Sequence, residues 1–162
     1  MRNEDVVRIL NALGDLLEIK GETRFRVNAY RDAARQIEGL SEDLNALAAE
    51  GRLRGIPGVG EAIALKIQEL LSTGQLAYYQ RLTAEIPETL LELLQVPGLG
   101  PRKVKLVYES LGVRSIADLR IALADGRVTA LPGMGARTVE NLKREVERWE
   151  QRGSRIPLGS AL

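Results

Sequence analysis

The sequence predicts an all-α protein, because helical periodicity runs through nearly the whole chain. Apolar residues recur every three or four positions, first along residues 6–17, and this spacing places them on one face of a helix. No segment shows the sustained alternation of apolar and polar residues that marks a half-buried strand. We therefore expect amphipathic helices joined by short turns.

The helices can be placed by their start and stop signals. The first begins near Asn3 and carries the apolar stripe of residues 6–17, and the second covers residues 25–37 and stops near Gly39. We expect Ser41 to cap a third helix that ends at Gly51. Further helices are predicted at about 60–71, at 76–82, from Leu90 onward, and at 101–111, 115–124 and 135–151.

The best candidate for a domain boundary lies near residues 82–87. The pair Ile86-Pro87 interrupts the periodicity there, because a proline drives the preceding residue out of the helical region. The tail at residues 152–162 contains glycine and proline and has no periodicity. The sequence therefore predicts two small helical units, residues 1–83 and 84–153, followed by a linker at residues 154–162.

The composition excludes several kinds of site. The 162 residues include no cysteine and no histidine, so disulfides, thiolate metal sites and histidine bases are excluded. The charged N-terminus is unlike a signal peptide, and no apolar run approaches the ~20 residues that span a membrane, so we expect a cytoplasmic protein. Because 23 basic and 22 acidic residues nearly cancel, only local basic patches would attract an anion.

One short pattern, apolar-Pro-Gly-apolar-Gly, occurs three times and is the main signal in the sequence. The copies lie in residues 55–60, 95–100 and 130–135. Apolar residues at helical spacing follow each copy: Ile63, Ala64, Ile67 and Leu70 after the first, Val104, Val107 and Leu111 after the second, and Val139, Leu142 and Val146 after the third. Since repeats fix an architecture, we predict three helix-hairpin-helix motifs.

The residue types of this pattern suit the binding of one phosphate. Proline stiffens the turn, and the first glycine allows the positive φ that a tight turn requires. The apolar residue between the glycines is expected to pack between the helices. The second glycine has no Cβ, so a ligand can approach the unpaired N–H groups and positive dipole of the next helix. Such a cradle contacts no base and would hold DNA without reading its sequence.

Other readings of the glycines are weaker. A single Pro-Gly-x-Gly could be an ordinary turn between helices, but three copies with matching apolar positions favour a dedicated motif. No Gly-Lys-Ser/Thr follows the glycines, which excludes a Walker A loop, and no strand precedes them, which excludes a dinucleotide fingerprint.

The hairpins and the segments around them resemble the N-terminal part of family X DNA polymerases, especially the bacterial and archaeal branch. The resemblance covers essentially the whole chain. Residues 3–17 resemble that family's first helix, residues 25–34 its F-R-x-x-A-Y-x-x-A-A pattern, residues 53–57 its approach to the first hairpin, and residues 155–159 the segment that leads into its palm.

The resemblance implies that the first unit is the 8-kDa domain, which binds gapped DNA near a 5′-phosphate during DNA repair, including base excision repair. It implies that the second unit is the subdomain that binds duplex DNA. It also implies that hairpin carbonyls hold a monovalent cation, Na⁺ or K⁺, beside the phosphate. The carbonyls concerned are those of Arg54, Ile56 and Val59 in the first hairpin and of Leu94, Val96 and Leu99 in the second.

The nucleotidyl-transfer machinery of that family is not represented in these residues. A palm domain needs clustered carboxylates that hold two Mg²⁺ ions, and the chain has no Asp-x-Asp pair. The metallophosphoesterase domain common in bacterial members is rich in histidine, which this chain lacks. We expect no polymerase or nuclease activity from these residues alone, and we expect a fragment of a larger polymerase, with a free-standing small protein as the alternative.

Lys66 matches the position at which some family members carry a lysine that removes a 5′-deoxyribose phosphate through a Schiff base. Partial burial beside Ile63 and Ile67, with arginines nearby, would lower its pKa and free the amine. A lysine that is solvated, or that contacts phosphate without chemistry, is the alternative, because the lysines around the nucleophile in the animal enzymes are replaced. The matching positions here are Arg26, Arg54, Ala62 and Tyr78.

Candidate DNA contacts follow from the hairpins and from basic residues near them. Tyr30 could stack on a base or sugar, or it could be a core residue. We expect Arg26 and Arg31 on the exposed side of the second helix. The candidate DNA-binding residues are Arg26, Tyr30, Arg31, Arg54, Gly58, Gly60, Gly98, Gly100, Arg102, Lys103, Lys105, Gly133 and Gly135.

Three functions from different classes therefore stay open. The first is sequence-independent DNA binding as part of a gap-repair polymerase. The second is a 5′-deoxyribose-phosphate lyase that uses Lys66. The third is a helix-hairpin-helix module that binds other proteins. We expect a monomer whose partner is DNA rather than a membrane.

Overall fold

The computed structural model describes the backbone of residues 1–155 and the side chains of residues 1–151. In that part of the chain it contains α-helices, two 3₁₀ turns and no strand, so the all-α prediction is confirmed. The chain divides into two compact units, the first ending at Ile86 and the second beginning at Pro87. The division lies at the Ile86-Pro87 break rather than after residue 83.

The first unit is organised around a pair of long helices. Its elements are α1 (Asn3–Lys20), α2 (Arg24–Glu38), α3 (Leu44–Ala49), a 3₁₀ turn (Leu53–Gly55), α4 (Glu61–Thr73) and α5 (Ala77–Glu85). α1 packs along α2, and Leu10 and Leu13 of α1 and Ile37 of α2 are almost completely buried. Burying each such side chain contributes about 1.5–3 kcal/mol to the stability of the fold. The interface between α1 and α2 is therefore the main core of the unit.

The N-cap of α3 differs from the prediction. The cap is Asp43, not Ser41, and its carboxylate accepts a hydrogen bond of 2.9 Å from the backbone N–H of Asn45. Serine and aspartate are equally good caps, so residue type alone does not distinguish them. The Asn3 side chain sets the position, because it accepts a hydrogen bond from the N–H of Leu44 (2.9 Å) and donates one to the carbonyl of Glu42 (2.8 Å).

The second unit contains four helices in its described part. They are α6 (Leu90–Leu93), α7 (Pro101–Leu111), α8 (Ile116–Ala124) and α9 (Ala136–Arg155), with a 3₁₀ turn at Val128–Ala130 before α9. Ser115 caps α8 by accepting a hydrogen bond of 3.1 Å from the N–H of Asp118. Apolar residues of all four helices, including Leu93, Val104 and Leu119, form the buried core of this unit.

α9 continues past the predicted end at residue 151, and its last turn includes the first two residues of the predicted linker, 154 and 155. The prediction that periodicity stops at Arg152 was therefore wrong. The helix there is rich in glutamate and arginine, which favour helices, and one Gly153 costs only about 1 kcal/mol. The remainder of the predicted linker, residues 156–162, lies outside the described residues. No described helix combines the length and apolar character required to cross a membrane.

Candidate nucleic-acid interface

The three predicted hairpins share one backbone geometry. In each, the N–H of the residue between the glycines donates to the carbonyl of the residue before the proline. These bonds join Val59 to Ile56 (3.0 Å), Leu99 to Val96 (3.0 Å) and Met134 to Leu131 (3.1 Å). The first glycine has positive φ in every copy: +83° at Gly58, +89° at Gly98 and +78° at Gly133. The predicted tight turn with a left-handed glycine is confirmed.

The second glycine of each hairpin faces open space. Gly60 and Gly100 are the N-caps of α4 and α7, and Gly135 directly precedes α9. A Cβ built on any of the three would meet no atom within 4 Å. The first N–H groups of the following helices have no carbonyl partner within their own helix, and a ligand can approach them here. The three hairpins therefore offer backbone cradles suited to an anion.

The apolar residue between the glycines is buried in all three copies, as predicted. Val59, Leu99 and Met134 are between 2% and 5% exposed, whereas the glycines beside them are exposed. The turn is thus anchored in its own helix pair by one side chain. The backbone on its outer side remains free to contact a ligand.

The side chains that follow each hairpin differ in charge. α4 opens with Glu61, and a carboxylate there disfavours a second anion at the helix N-terminus. α7 opens with Pro101, Arg102 and Lys103, and the Lys103 ammonium lies 3.4 Å from the carbonyl oxygen of Gly98. Lys105 lies two residues further along α7 and is half-exposed. The second hairpin is therefore more favourable for a phosphate than the first.

A second cationic cluster lies in the first unit, around the ring of Tyr78. The Lys66 ammonium sits 4.9 Å above that ring and 6.0 Å from the ring of Tyr30. The Arg81 guanidinium lies 5.6 Å from the Tyr78 ring, and Arg26 donates a hydrogen bond of 3.1 Å to the Tyr78 hydroxyl. The two tyrosine rings are stacked, with centroids 6.4 Å apart. Three cations from α2, α4 and α5 thus converge on one aromatic pair.

This environment changes the acidity of its members. Burial lowers the pKa of the Lys66 ammonium, the guanidinium groups of Arg26 and Arg81 lower it further, and Glu69 opposes them. Each of the main effects disfavours the charged amine, so a larger fraction of Lys66 is neutral than for a solvated lysine. Burial likewise raises the pKa of the Tyr30 hydroxyl.

Two of the predicted contacts lie elsewhere than expected. Arg31 was expected on the exposed side of α2, but it faces α1 and pairs with Asp15 (2.7 Å) and Glu18 (2.9 Å). The expected orientation of Arg31 was therefore wrong, because the packing of α1 against α2 pairs its guanidinium with both carboxylates. Its role as a DNA contact stays a prediction. Tyr30 is only 6% exposed, so of its two predicted roles the structure shows that of a core residue.

The first hairpin is flanked by an open groove of about 180 Å³. Arg54, in the 3₁₀ turn before the hairpin, lines this groove together with Glu61, Leu65 and Gln68. Arg54 is exposed, as are Arg26 and Arg102. The exposure that a DNA contact requires of these three side chains is therefore confirmed, and their contact with DNA stays a prediction.

Arg81 was missed by the sequence analysis. It lies three residues after Tyr78 on α5, and that spacing places the two side chains on one helix face. The resemblance matches Tyr78 of this helix to a position around the candidate lysine, but it gives no role to Arg81. The position of Tyr78, three residues before Arg81, was the signal that could have identified it.

Comparison with known proteins identifies similarity in both units. A helix-hairpin-helix domain model matches residues 1–76, and a model of a SAM-like helix-hairpin-helix tandem matches residues 90–148. The DNA polymerase/3′-5′ exonuclease PolX of Bacillus subtilis (strain 168) is 30% identical over 162 residues, which is 100% of this chain and 28% of that protein.

A second group of relatives resembles a shorter stretch. The Holliday junction branch migration complex subunit RuvA of Acidovorax sp. (strain JS42) is 29% identical, and that of Ralstonia nicotianae is 30% identical, each over 92 residues. These matches cover 57% of this chain and 48% of each RuvA. The chain thus spans less than half the length of the relatives it matches.

Proposed function

We propose that this chain, which resembles the N-terminal region of PolX and contains two helix-hairpin-helix domains, binds DNA through backbone phosphates as the gap-recognising part of a family X repair polymerase. The observation that carries the proposal is that the same hairpin geometry occurs three times. In each copy, a glycine with open space around it stands at the start of the following helix. Backbone amides contact phosphates irrespective of base sequence, so binding is sequence-independent.

A direct test adds a carboxylate to the cradle of the second hairpin. Gly100→Asp places a good N-cap residue at a position with open space, so folding is preserved, while the negative charge repels a phosphate. Ala117→Asp is the matched control, because it adds the same charge to the first turn of α8, where there is no hairpin. Binding to a labelled duplex with a one-nucleotide gap should fall about tenfold or more for Gly100→Asp only.

Equal affinities of the two variants would count against the cradle. The same Gly→Asp change at Gly60 and at Gly135 shows how much each hairpin contributes to DNA affinity. We expect the smallest loss of affinity at Gly60, where Glu61 already disfavours an anion. Failure of the unaltered chain to bind DNA even at low salt would leave the protein-interaction alternative.

We propose further that the cluster of Arg26, Lys66 and Arg81 receives the 5′-phosphate at the edge of a gap. Three cations that converge on one place attract a dianion more strongly than they attract the single charge of an internal phosphate. The unaltered chain should therefore bind a phosphorylated gap more tightly than an unphosphorylated one. Arg81→Gln should reduce that preference, whereas Arg120→Gln in the second unit should preserve it.

The second candidate activity is a 5′-deoxyribose-phosphate lyase, favoured by the lowered pKa of Lys66. The neutral amine would attack C1′ of the open sugar, and loss of water would give an imine. Removal of a C2′ proton would then expel the phosphate at C3′, and hydrolysis of the imine would free the lysine. Borohydride should trap a covalent adduct with an abasic 5′ end. Lys66→Ala should abolish trapping, whereas Lys20→Ala, which removes a lysine of the first unit that pairs with Glu85, should not. Trapping by Lys66→Ala would exclude this role.

We also propose that a monovalent cation lies beside the phosphate at the first and second hairpins. The carbonyls of Ile56 and Val96 each accept one turn hydrogen bond, so each has a second lone pair for a ligand. If Na⁺ or K⁺ is held there, replacing it with tetramethylammonium at constant ionic strength should weaken DNA binding. Equal affinity in both salts would exclude the cation.

A further inference from the structure

The side chain of Phe25 is left in solvent by the fold. It is 85% exposed, the highest fraction among the large hydrophobic side chains that the structure describes. Its position in the first turn of α2 is fixed by Thr23, whose hydroxyl accepts a hydrogen bond of 3.3 Å from the N–H of Arg26. Neither this cap nor the core uses the phenyl ring, since Val27 and Tyr30 supply the buried face.

The surroundings of Phe25 are cationic. Arg24 and Arg26 flank it in the sequence, and both are exposed. Arg26 also belongs to the cluster with Lys66 and Arg81, so Phe25 directly precedes, in the first turn of α2, one of the cations of that cluster. An aromatic ring beside such a surface suits a ligand that carries both negative charge and flat apolar faces, which is the chemistry of a nucleotide.

α2 also connects Phe25 to the first hairpin. Residues 25, 32 and 36 differ by seven and eleven positions and therefore share one helix face. At the far end of that face, the Gln36 side chain and the Asp32 carbonyl lie 3.7 and 4.0 Å from the point where a Cβ on Gly58 would stand. Eleven residues of helix span about 16 Å, which is on the order of five nucleotide steps along a strand. A strand held at the hairpin can therefore reach the ring.

We propose that Phe25 stacks on an unpaired base of bound DNA. This inference rests on the proposed DNA-binding function and adds a structural preference to it. A base inside a continuous duplex already stacks on both neighbours and offers the ring no free face, whereas a base opposite a gap does. Tyr30, which the sequence also suggested for stacking, is buried and offers no such face.

The test uses the whole chain with two DNA probes, a duplex with a one-nucleotide gap and the same duplex without the gap. 5-Iodouracil at the unpaired position crosslinks on irradiation to an aromatic side chain that stacks on it. Mass spectrometry of the unaltered chain should locate the crosslink at Phe25. Phe25→Ala should lose the crosslink and bind the gapped probe about fivefold or more weakly, with the affinity for continuous duplex unchanged.

Two variants control this experiment. Phe25→Trp should retain both the crosslink and the affinity, because it restores a stacking face. Ile121→Ala removes another exposed apolar side chain, in the second unit, and should behave like the unaltered chain. All variants should have an unchanged unfolding midpoint, because neither side chain is buried.

The outcomes separate the stacking inference from the function on which it rests. A chain that binds neither probe overturns both. If the unaltered chain binds DNA and Phe25→Ala binds the gapped probe with the same affinity, only the stacking inference is overturned. It is likewise overturned if Phe25→Ala loses affinity equally for both probes.

Discussion

At Lys66, burial and two guanidinium groups all act to lower the pKa of one ammonium group. We therefore expect Arg81→Gln to raise that pKa toward the ordinary value of 10.5, so that a higher pH is needed for the same fraction of neutral amine. Chemical shifts of ¹³C-methylated lysines, followed by NMR across a pH titration, measure this directly. Arg120→Gln should leave the titration unchanged. An unchanged titration in Arg81→Gln would mean that Arg81 has no measurable effect on the amine.

Arg31 lies between Asp15 and Glu18, and all three side chains are at most one-third exposed. Arg31→Leu would leave two half-buried carboxylates close together without a cation, and should reduce the free energy of unfolding by about 1–2 kcal/mol. Urea denaturation followed by circular dichroism measures this change. Arg35→Leu is the control, because its pair with Asp32 is largely exposed and should contribute less than about 1 kcal/mol. Equal effects would contradict a structural role for Arg31.

Residue types could be predicted from the sequence more readily than their partners. The basic candidates Arg26, Arg54 and Arg102 are exposed, but Arg31 is not free. Its partners lie thirteen and sixteen positions away on another helix, and only the packing of α1 against α2 brings them together. The same holds for Arg81 and Lys66, which no local pattern connects.

At the scale of single elements, the hairpin is the part of the structure that the sequence predicts best. Its turn depends on one proline, one glycine of positive φ and one buried apolar residue, and these residue types can be recognised directly in the sequence. Helix ends were predicted less well where two residues could serve one role, as Ser41 and Asp43 could, or where a single glycine did not stop a strongly helical segment, as in α9.

The two glycines of a hairpin have separable effects. Gly98→Ala forces a side chain onto a backbone with φ of +89° and should destabilise the second unit by about 1–2 kcal/mol. Gly100→Ala, at φ −81° with open space around the added methyl group, should cost less. The fluorescence of Trp149, the one tryptophan in the chain, reports unfolding of this unit in urea. Equal destabilisation by the two variants would contradict the turn geometry.

Across the whole molecule, the near-zero net charge hides a difference between the units. Residues 1–86 carry 11 basic and 13 acidic side chains, whereas residues 87–162 carry 12 basic and 9 acidic. General attraction to duplex DNA should therefore come mainly from the second unit. The first unit has a negative net charge, so we expect it to attract DNA only through its local cationic cluster around Tyr78. That cluster should determine which DNA structure is preferred.

The cations beside the hairpins set an expectation for the salt dependence of the whole chain. Each phosphate neutralised by a Lys or Arg side chain contributes a slope of about −0.9 to a plot of log affinity against log salt, so contacts from Arg54, Arg102 and Lys103 would give about −3. Fluorescence anisotropy between about 50 and 200 mM KCl measures it. Lys103→Gln should make the slope shallower by about one. A slope near zero for the unaltered chain would exclude phosphate contacts by these side chains.

The cradles are made of peptide groups, and peptide groups neither titrate nor oxidise under physiological conditions. The chain also contains no histidine, the one side chain whose ordinary pKa lies between about 5 and 8, and no readily oxidised cysteine. The affinity of a cradle for an internal phosphate of DNA should consequently stay the same when the surroundings become acidic or oxidising. Such constancy would suit a protein whose contact with DNA must persist through changes of pH and redox state.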